Sequence, residues 1–180
     1  MSGMALNRRR LLSAPLVLAF AQGARAHTPY GQWVVYRKKH LLIGSHRADP
    51  PTYAEAKRLA EVLAEHLPKS RSRVARAPTA GRLASLLGTD QLDVAVLSRD
   101  DAVAMRGGEG KFAPYGKIPV VLLANLNDYV LIAHERFPTR HAWLVSKTLS
   151  ETVSASGQAE ALEWHPGTQM FLNGKPEPHG

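Results

Sequence analysis

The feature that most constrains the fold is an alternation of apolar and amphipathic segments in the first half of the chain. The apolar segments predict three strands, at residues 40–45, 72–77 and 92–98. The amphipathic segments between them predict helices at residues 52–67 and 79–88. Strands and helices that alternate at this spacing are typical of a parallel sheet with helical crossovers. We therefore expect an α/β fold in which helices flank a mainly parallel five-stranded sheet.

Local signals predict where the elements begin and end. Thr52 and Glu55 have the spacing of a capping box at the start of the first helix, and Thr79 is placed to cap the second. Residues 100–119 hold four glycines and two prolines, which predicts a mobile surface loop. Two further strands follow over residues 120–134, separated either by a tight turn or by a bulge at residues 125–128. The last long helix is predicted to open at Phe137 and Pro138.

The first 26 residues have the pattern of an export signal. Arg8, Arg9 and Arg10 precede an apolar stretch at residues 11–21, and Ala24-Arg25-Ala26 is a small-x-small cleavage site. The apolar stretch is shorter than the ~20 residues that span a bilayer. We therefore expect a signal peptide over residues 1–26, with a twin-arginine or general secretory route to the periplasm, followed by an N-terminal arm (27–40) and one domain (41–180).

Cleavage of this signal changes the charge of the protein. The segment contains four arginines and no acidic residue, so its loss lowers the formal net charge from +8 to +4. Much of the basicity that would suggest nucleic-acid binding is therefore removed, and no nucleic-acid partner is expected. The chain has no cysteine, which excludes disulfides and thiolate metal sites. No membrane span is expected after cleavage.

Three segments resemble the TAXI receptors of TRAP transporters, within the type 2 periplasmic solute-binding proteins. "LLIGSHRADPPTYAEAKRLAEVL" (41–63) is similar to their opening strand, ligand loop and first helix. "GRLASLLGTDQLDVAVLSRDDA" (81–102) is similar to a Leu-rich helix, a turn and an apolar strand that ends near the ligand cleft. "DYVLIAHERFPTRHAWLVSKTLSE" (128–151) and "WHPGTQMFLNG" (164–174) are similar to the last helix and a His-Pro-Gly motif. The resemblance implies a periplasmic-binding-protein-like domain.

The chain departs from these receptors in two ways. Such receptors have two lobes that close on a solute, whereas about thirty residues separate the third strand from the final segment here, which implies a single lobe. The ligand loop of the family is Gly-rich, whereas this chain has "SHRADPPTY" (45–53), in which two prolines stiffen the backbone. A single lobe would leave the former cleft face open, so we expect a homodimer or a periplasmic protein partner to cover it.

Ligands of open α/β sheets usually lie at the carboxyl ends of the strands. Several residues predicted there could hydrogen-bond a small anionic solute with help from helix N-termini. These tentative ligand-binding residues are Ser45, Arg47, Thr52, Tyr53, Thr79, Ser98 and Arg99. The alternative is that Thr52 and Thr79 only cap helices and that the charged side chains are solvated. That alternative is favoured, because half a cleft encloses little of a ligand, whereas good sites enclose roughly 70–90%.

Histidine suggests a second kind of site. Cleavage after Ala26 would make His27 the new N-terminus, where its α-amine and imidazole could chelate copper or zinc. A second histidine such as His46 could complete that site through proximity in the fold. No pair of histidines has metal-ligand spacing, so surface and capping roles are the favoured alternative. His165, before Pro166-Gly167, is interpreted as a turn residue that anchors the C-terminal segment.

Catalysis has no support in the sequence. The chain lacks a nucleophile elbow, a P-loop and a dinucleotide fingerprint, and the adjacent Asp100 and Asp101 fit a helix cap better than an acid/base pair. We therefore predict a non-enzymatic, exported module that binds or delivers a small anionic solute or a cofactor of unknown identity. The alternative is an accessory subunit of a periplasmic enzyme or transporter that binds no ligand. A copper or zinc protein that uses His27 is a third hypothesis.

Overall fold

The computed structural model of the protein describes residues 37–153 and 161–179. In these residues, five strands and five α-helices form an α/β unit. The strands are β1 (Leu42–His46), β2 (Arg73–Ala77), β3 (Val94–Ser98), β4 (Val120–Leu126) and β5 (Tyr129–His134). The α-helices are α1 (Pro50–His66), α2 (Ala80–Gly88), α3 (Arg99–Gly107), α4 (Thr139–Thr152) and α5 (Pro166–Leu172). The predicted signal peptide, most of the predicted arm and His27 lie outside the described residues.

The five strands form one mixed sheet in the order β2-β1-β3-β5-β4. β1 pairs in parallel with both β2 and β3, as predicted. β5 pairs antiparallel with both β3 and β4, so the expectation of a mainly parallel sheet is only partly right. The antiparallel pairing of β4 with β5 follows from the tight turn at Asn127 and Asp128, where Asn127 has a left-handed φ of 66°. Two residues can join only antiparallel neighbours, because a parallel pair needs a crossover of about a dozen residues or more.

Helices cover both faces of the sheet because the apolar residues of each strand alternate between them. Along β3, Val94 and Val96 belong to one buried cluster, whereas Ala95 and Leu97 belong to the other. The first cluster includes buried residues of α1 and α4. The second includes buried residues of α2 and α3 together with Phe112. The α/β architecture with helices flanking five strands is thus confirmed.

Two local predictions are wrong. Residues 100–119 are not a mobile loop, because α3 occupies their first part and a 3₁₀-helix (Gly110–Tyr115) follows, with Phe112 fully buried. The predicted capping box is also absent. α1 begins at Pro50 with Asp49 as its N-cap, so Thr52 lies inside the first turn, and Glu55 pairs with Arg58 instead (2.6 Å). The proline pair starts the helix earlier than the Thr-Glu spacing suggested.

The C-terminal segment closes the free edge of β4. The amide of Leu122 donates to the carbonyl oxygen of Glu163 (2.8 Å), and the amide of His165 donates to that of Leu122 (2.9 Å). His165 is the N-cap of α5, where its Nδ1 accepts from the Gly167 amide (3.1 Å). Its Nε2 lies 2.8 Å from the carbonyl oxygen of Phe137. His165 therefore anchors this segment, as the sequence predicted.

Candidate functional site

A pocket of about 520 Å³ lies where β1 and β3 end and α1, α2 and α3 begin. We call it the strand-end pocket. The N-cap residues of the three helices, Asp49, Thr79 and Ser98, all line it. The remaining lining residues come from the β1–α1 loop, the first turns of α2 and α3, and the 3₁₀-helix: His46, Ala48, Ala80, Gly81, Asp101, Lys111 and Tyr115. The pocket therefore occupies the position where α/β sheets usually hold ligands.

His46, the last residue of β1, is the least satisfied polar side chain of this pocket. It is only 2% exposed, and neither Nδ1 nor Nε2 has a hydrogen-bond partner among the described residues. Burial lowers the pKa of His46, and the positive charge of Lys111 adds to this, whereas Asp49 and Asp101 act in the opposite direction. A neutral imidazole presents one N–H donor and one acceptor. Each buried polar atom without a partner costs about 1–3 kcal/mol, so a ligand that satisfies both atoms would gain that energy.

Thr52 holds the backbone around His46. Its hydroxyl accepts a hydrogen bond from the His46 amide (3.3 Å) and donates to the carbonyl oxygen of Asp49 (2.7 Å). The hydroxyl is fully buried. Thr52 therefore fixes the loop that carries His46 and Asp49, and it does not line the pocket itself.

The three helix N-termini make different contributions. α1 starts with two prolines, which have no N–H, so it adds only the positive end of its dipole. α2 presents Ala80 and Gly81 in its first turn, where backbone N–H groups lack partners within the helix. At α3 the Ser98 hydroxyl accepts from the Asp101 amide (3.3 Å). Backbone donors for an anion are therefore concentrated at the start of α2.

The charged side chains give the pocket both signs. Lys111 Nζ lies 2.7 Å from Asp101 Oδ2. Asp49 Oδ1 accepts a hydrogen bond from the Tyr129 hydroxyl (3.1 Å). Burial, helped by this hydrogen bond, raises the pKa of Tyr129, so the phenol stays a donor at neutral pH. The lining therefore offers one cation and two carboxylates beside the backbone donors of α2.

Tyr115 forms part of the outer wall against the start of α2. Its hydroxyl would lie 2.7 Å from a Cβ placed on Gly81, so the absence of a side chain at Gly81 allows this close approach. Tyr115 is also 43% exposed, which is high for a large aromatic residue. One side of the Tyr115 ring therefore faces solvent.

Of the tentative ligand residues, Thr79 and Ser98 line the pocket, as does His46 from the proposed metal pair. Ser45 is buried and donates to the carbonyl oxygen of Ala75 (3.5 Å). The other residues predicted from the sequence lie outside it. Arg99 binds Asn125 Oδ1 and the Asn127 carbonyl oxygen (both 2.8 Å), Tyr53 stacks under the Arg76 guanidinium (4.5 Å), and Arg47 is exposed.

The sequence did not indicate Lys111, Tyr115 or Gly81 as site residues. Lys111 and Tyr115 lie in the segment that its glycines and prolines presented as a surface loop. Asp101 ends the predicted ligand loop 98–101, and its side chain was interpreted as a helix cap rather than as part of an acid/base pair. Asp49 carried a signal that could have been used, since an aspartate before a proline pair is a favoured N-cap.

Across residues 37–153 and 161–179, no cluster of three His, Asp or Glu side chains could hold a metal ion. The same part of the chain contains no helix that is long and apolar enough to cross a membrane. Comparison with known proteins found no matching protein-family model and no similar sequence among curated proteins. The case for a function therefore depends on the geometry of the strand-end pocket.

Burial of neutral histidines predicts that the fold loses stability on mild acidification. Burial lowers the pKa of both His46 and His165 from 6.5, although the hydrogen bond to Phe137 opposes this at His165. Their contribution is complete above pH 6.5 and decreases as the pH falls from 6.5 towards the lower folded-state pKa values, because only the unfolded chain then gains protons. The slope is at most about 1.4 kcal/mol per pH unit for each proton.

Urea unfolding at pH 7.5 and at pH 5.5 measures this effect. Carboxylates of ordinary pKa, near 4, titrate mainly below that interval. We expect a smaller free energy of unfolding at pH 5.5. Equal or greater stability at pH 5.5 would contradict the buried neutral state of the two histidines.

Proposed function

We propose that the protein is a binding module that holds a small solute with an anionic group in the strand-end pocket. The observation that carries this proposal is His46, whose buried imidazole lines an open pocket and has no partner at either nitrogen within residues 37–153 and 161–179. Native proteins rarely leave a buried polar group unpaired, so the imidazole of His46 requires an explanation, and a bound ligand group supplies one. The resemblance of three segments to periplasmic solute receptors supports the same kind of function.

The lining of the pocket supports a solute of mixed polarity. Its anionic group would accept hydrogen bonds from the start of α2 and from the N–H of His46, in the positive field of the helix dipoles. A hydroxyl or ammonium group elsewhere on the solute would donate to the second nitrogen of His46 or to Asp49. A solute without any donor would leave Asp49 and one imidazole nitrogen unsatisfied.

A partner or a second copy of the chain would complete the site. The pocket opens between residues with exposed side chains, including Thr79, Lys111 and Tyr115. Ligand sites bury most of the ligand surface, and this wall alone leaves one side open. Tyr115 and Leu172 are the large apolar side chains that stay exposed in the described part of the chain, and Tyr115 is at the rim. A protein that covers Tyr115 would also close the pocket.

The export-signal pattern expected at residues 1–26 supports the proposal that this activity takes place in the periplasm. The TAXI-like segments suggest delivery of the solute to a membrane or enzyme partner. The competing proposal is an accessory subunit that binds no solute. That function would not explain why the buried imidazole of His46 lacks a partner within the described residues.

His46→Leu tests the proposal, because leucine has a similar size and no polar atom. We expect the variant to lose the bound solute or to bind it at least about tenfold more weakly, which is the loss of one good hydrogen bond. We also expect its free energy of unfolding to be unchanged or higher, because it removes two unsatisfied buried atoms. The readout is native mass spectrometry of protein purified from cells that express the complete gene.

As a second readout, the protein is titrated with acetate, lactate, succinate, phosphate and glycine. Binding is followed through the backbone amide NMR shifts of Gly81 and Ser98. His66→Leu is the matched control, since His66 is exposed near the end of α1 and far from the pocket lining. It should retain the solute. Equal binding by wild type and His46→Leu, or no retained mass and no response to any probe, would remove the support for solute binding and favour the accessory subunit.

A further inference from the structure

A second cavity, of about 450 Å³, lies at the opposite end of the sheet from the strand-end pocket. Its lining comes from the residues just before β1 and β3, from the turn after α1, and from the start of α4. We call it the basic cleft. No residue lines both the basic cleft and the strand-end pocket. Anything that binds there is independent of the function proposed above.

The rim of the basic cleft carries an excess of positive charge. Arg37, Lys38, Lys39 and Lys69 line it, and none of the four forms an ion pair within the described residues. A fifth cation, Arg140, is paired with Glu177 (2.6 Å). Like charges that share a cleft repel one another, and an anion bound between them would relieve that repulsion.

Acidic groups do not balance this charge. Asp93 is the acidic residue in the lining, and its carboxylate is 3.3 Å from Arg136, which lies outside the cleft. The first turn of α4, which also borders the cleft, contains no acidic residue. The lining of the cleft therefore carries more cationic than anionic side chains.

The floor of the same cleft is apolar. Phe137 and Val145 are buried there, and Leu41, Leu67 and Leu144 are partly buried. His141 packs its ring 5.9 Å from that of Phe137 at one side. An apolar floor bordered by cations suits a ligand that combines an apolar body with an anionic head. Inorganic anions would use only the rim.

We propose that the basic cleft binds an amphipathic organic anion, with an alkyl or aromatic body against Phe137 and Leu144. The anionic head lies between Lys39 and Lys69. A volume of about 450 Å³ is within the range of small-molecule sites and accommodates a single chain or ring system. The chemistry of recognition is a carboxylate, sulfonate or phosphate that is joined to an apolar group.

Decanoate is a suitable probe, used below its critical micelle concentration and followed by isothermal titration calorimetry with the complete protein. We expect saturable binding of one decanoate per chain that weakens as salt is added, because the head group is held by charge. Decanol, which lacks the charge, and decyltrimethylammonium, which reverses it, should each bind at least about tenfold more weakly.

The double variant Lys39→Gln/Lys69→Gln should weaken decanoate binding by about tenfold or more, because two partners of the head group are removed. Lys117→Gln is the matched control, since Lys117 is exposed, lies outside the cleft and should leave decanoate binding unchanged. Both lysines of the double variant are exposed, so the fold should tolerate their replacement, and a thermal melt verifies this.

Four results would overturn the proposal. The first is an absence of saturable decanoate binding, and the second is equal affinity for decanoate and inorganic sulfate, which would show that the apolar floor is unused. The third is binding that His46→Leu abolishes and the lysine variant does not, which would place decanoate in the strand-end pocket. The fourth is binding to phosphatidylglycerol vesicles without binding of monomeric decanoate, which would indicate a membrane-surface patch.

Discussion

Phe112→Ala is expected to lower the free energy of unfolding by about 3–5 kcal/mol, the usual cost of removing a buried phenylalanine side chain. Phe112 is fully buried although it lies on a short 3₁₀-helix in a glycine-rich segment. It belongs to the same core cluster as Leu83, Met105 and Ile118. Its removal leaves a cavity between α2, α3 and the sheet, and the neighbouring backbone can close it only in part.

Urea denaturation gives this value directly, and Tyr115→Ala is the matched control. Tyr115 is an aromatic residue on the same 3₁₀-helix, but it is 43% exposed, so its replacement should cost less than about 1 kcal/mol. If both variants were equally mild, residues 110–115 would behave as the mobile loop that their composition suggested. The strand-end pocket would then lose its wall at Lys111 and Tyr115.

Gly167→Ala is expected to lower the free energy of unfolding by about 2–3 kcal/mol, because a Cβ at this position overlaps the backbone of α4. The added atom would collide with the carbonyl oxygen of Thr139, lie 2.9 Å from its carbonyl carbon and lie 3.0 Å from Ala142 Cβ. None of these atoms can rotate away, so α5 must move from α4. That movement would also strain the hydrogen bond between Ser146 and Thr168 (2.8 Å).

Gly88→Ala is the control for Gly167→Ala. Gly88 is also helical, at the end of α2, but the nearest atom to an added Cβ is Ile118 Cδ1 at 3.8 Å, an ordinary contact. Alanine should be neutral there or stabilise the helix by up to about 1 kcal/mol. Chemical unfolding of both variants separates the collision from the general effect of the substitution. Similar stabilities for both would show that α5 packs less closely on α4.

The sequence predicted the core elements because their signals are local. β1 and β3 each begin with a run of apolar residues, and α1 has apolar residues at helical spacing, so each element needs burial on particular faces whatever its neighbours are. Thr79 was identified as a cap and caps α2 by accepting from the Arg82 amide (3.1 Å). The alternation of strands and helices predicted a parallel arrangement of the first three strands, and β1 pairs in parallel with β2 and β3.

The sequence-based predictions were wrong where two local signals competed, or where a contact between distant residues determined the local conformation. The proline pair at Pro50 and Pro51 outweighed the Thr52–Glu55 spacing in setting the start of α1. The glycines between residues 107 and 116 indicated a loop, but three of them supply the positive φ angles that join α3, the 3₁₀-helix and β4 compactly. They permit a tight path, and the burial of Phe112 then fixes it.

For the candidate site, the sequence indicated Thr79 and Ser98, and both line the strand-end pocket because residues that follow parallel strands meet at one edge of the sheet. It could not select among the polar residues of the loop at positions 45–53. His46 points inward and Arg47 outward, because successive side chains alternate at the end of a strand.

The sequence by itself determined the α/β class, the order of the five strands along the chain and the starts of α2 and α4, since periodicity and capping act over a few residues. Only the tertiary structure decided that β5 lies between β3 and β4, that Lys111 and Tyr115 reach the ends of β1 and β3, and that the imidazole of His46 is buried without a partner. These features depend on contacts between residues that are far apart in the chain, and no local pattern encodes such contacts.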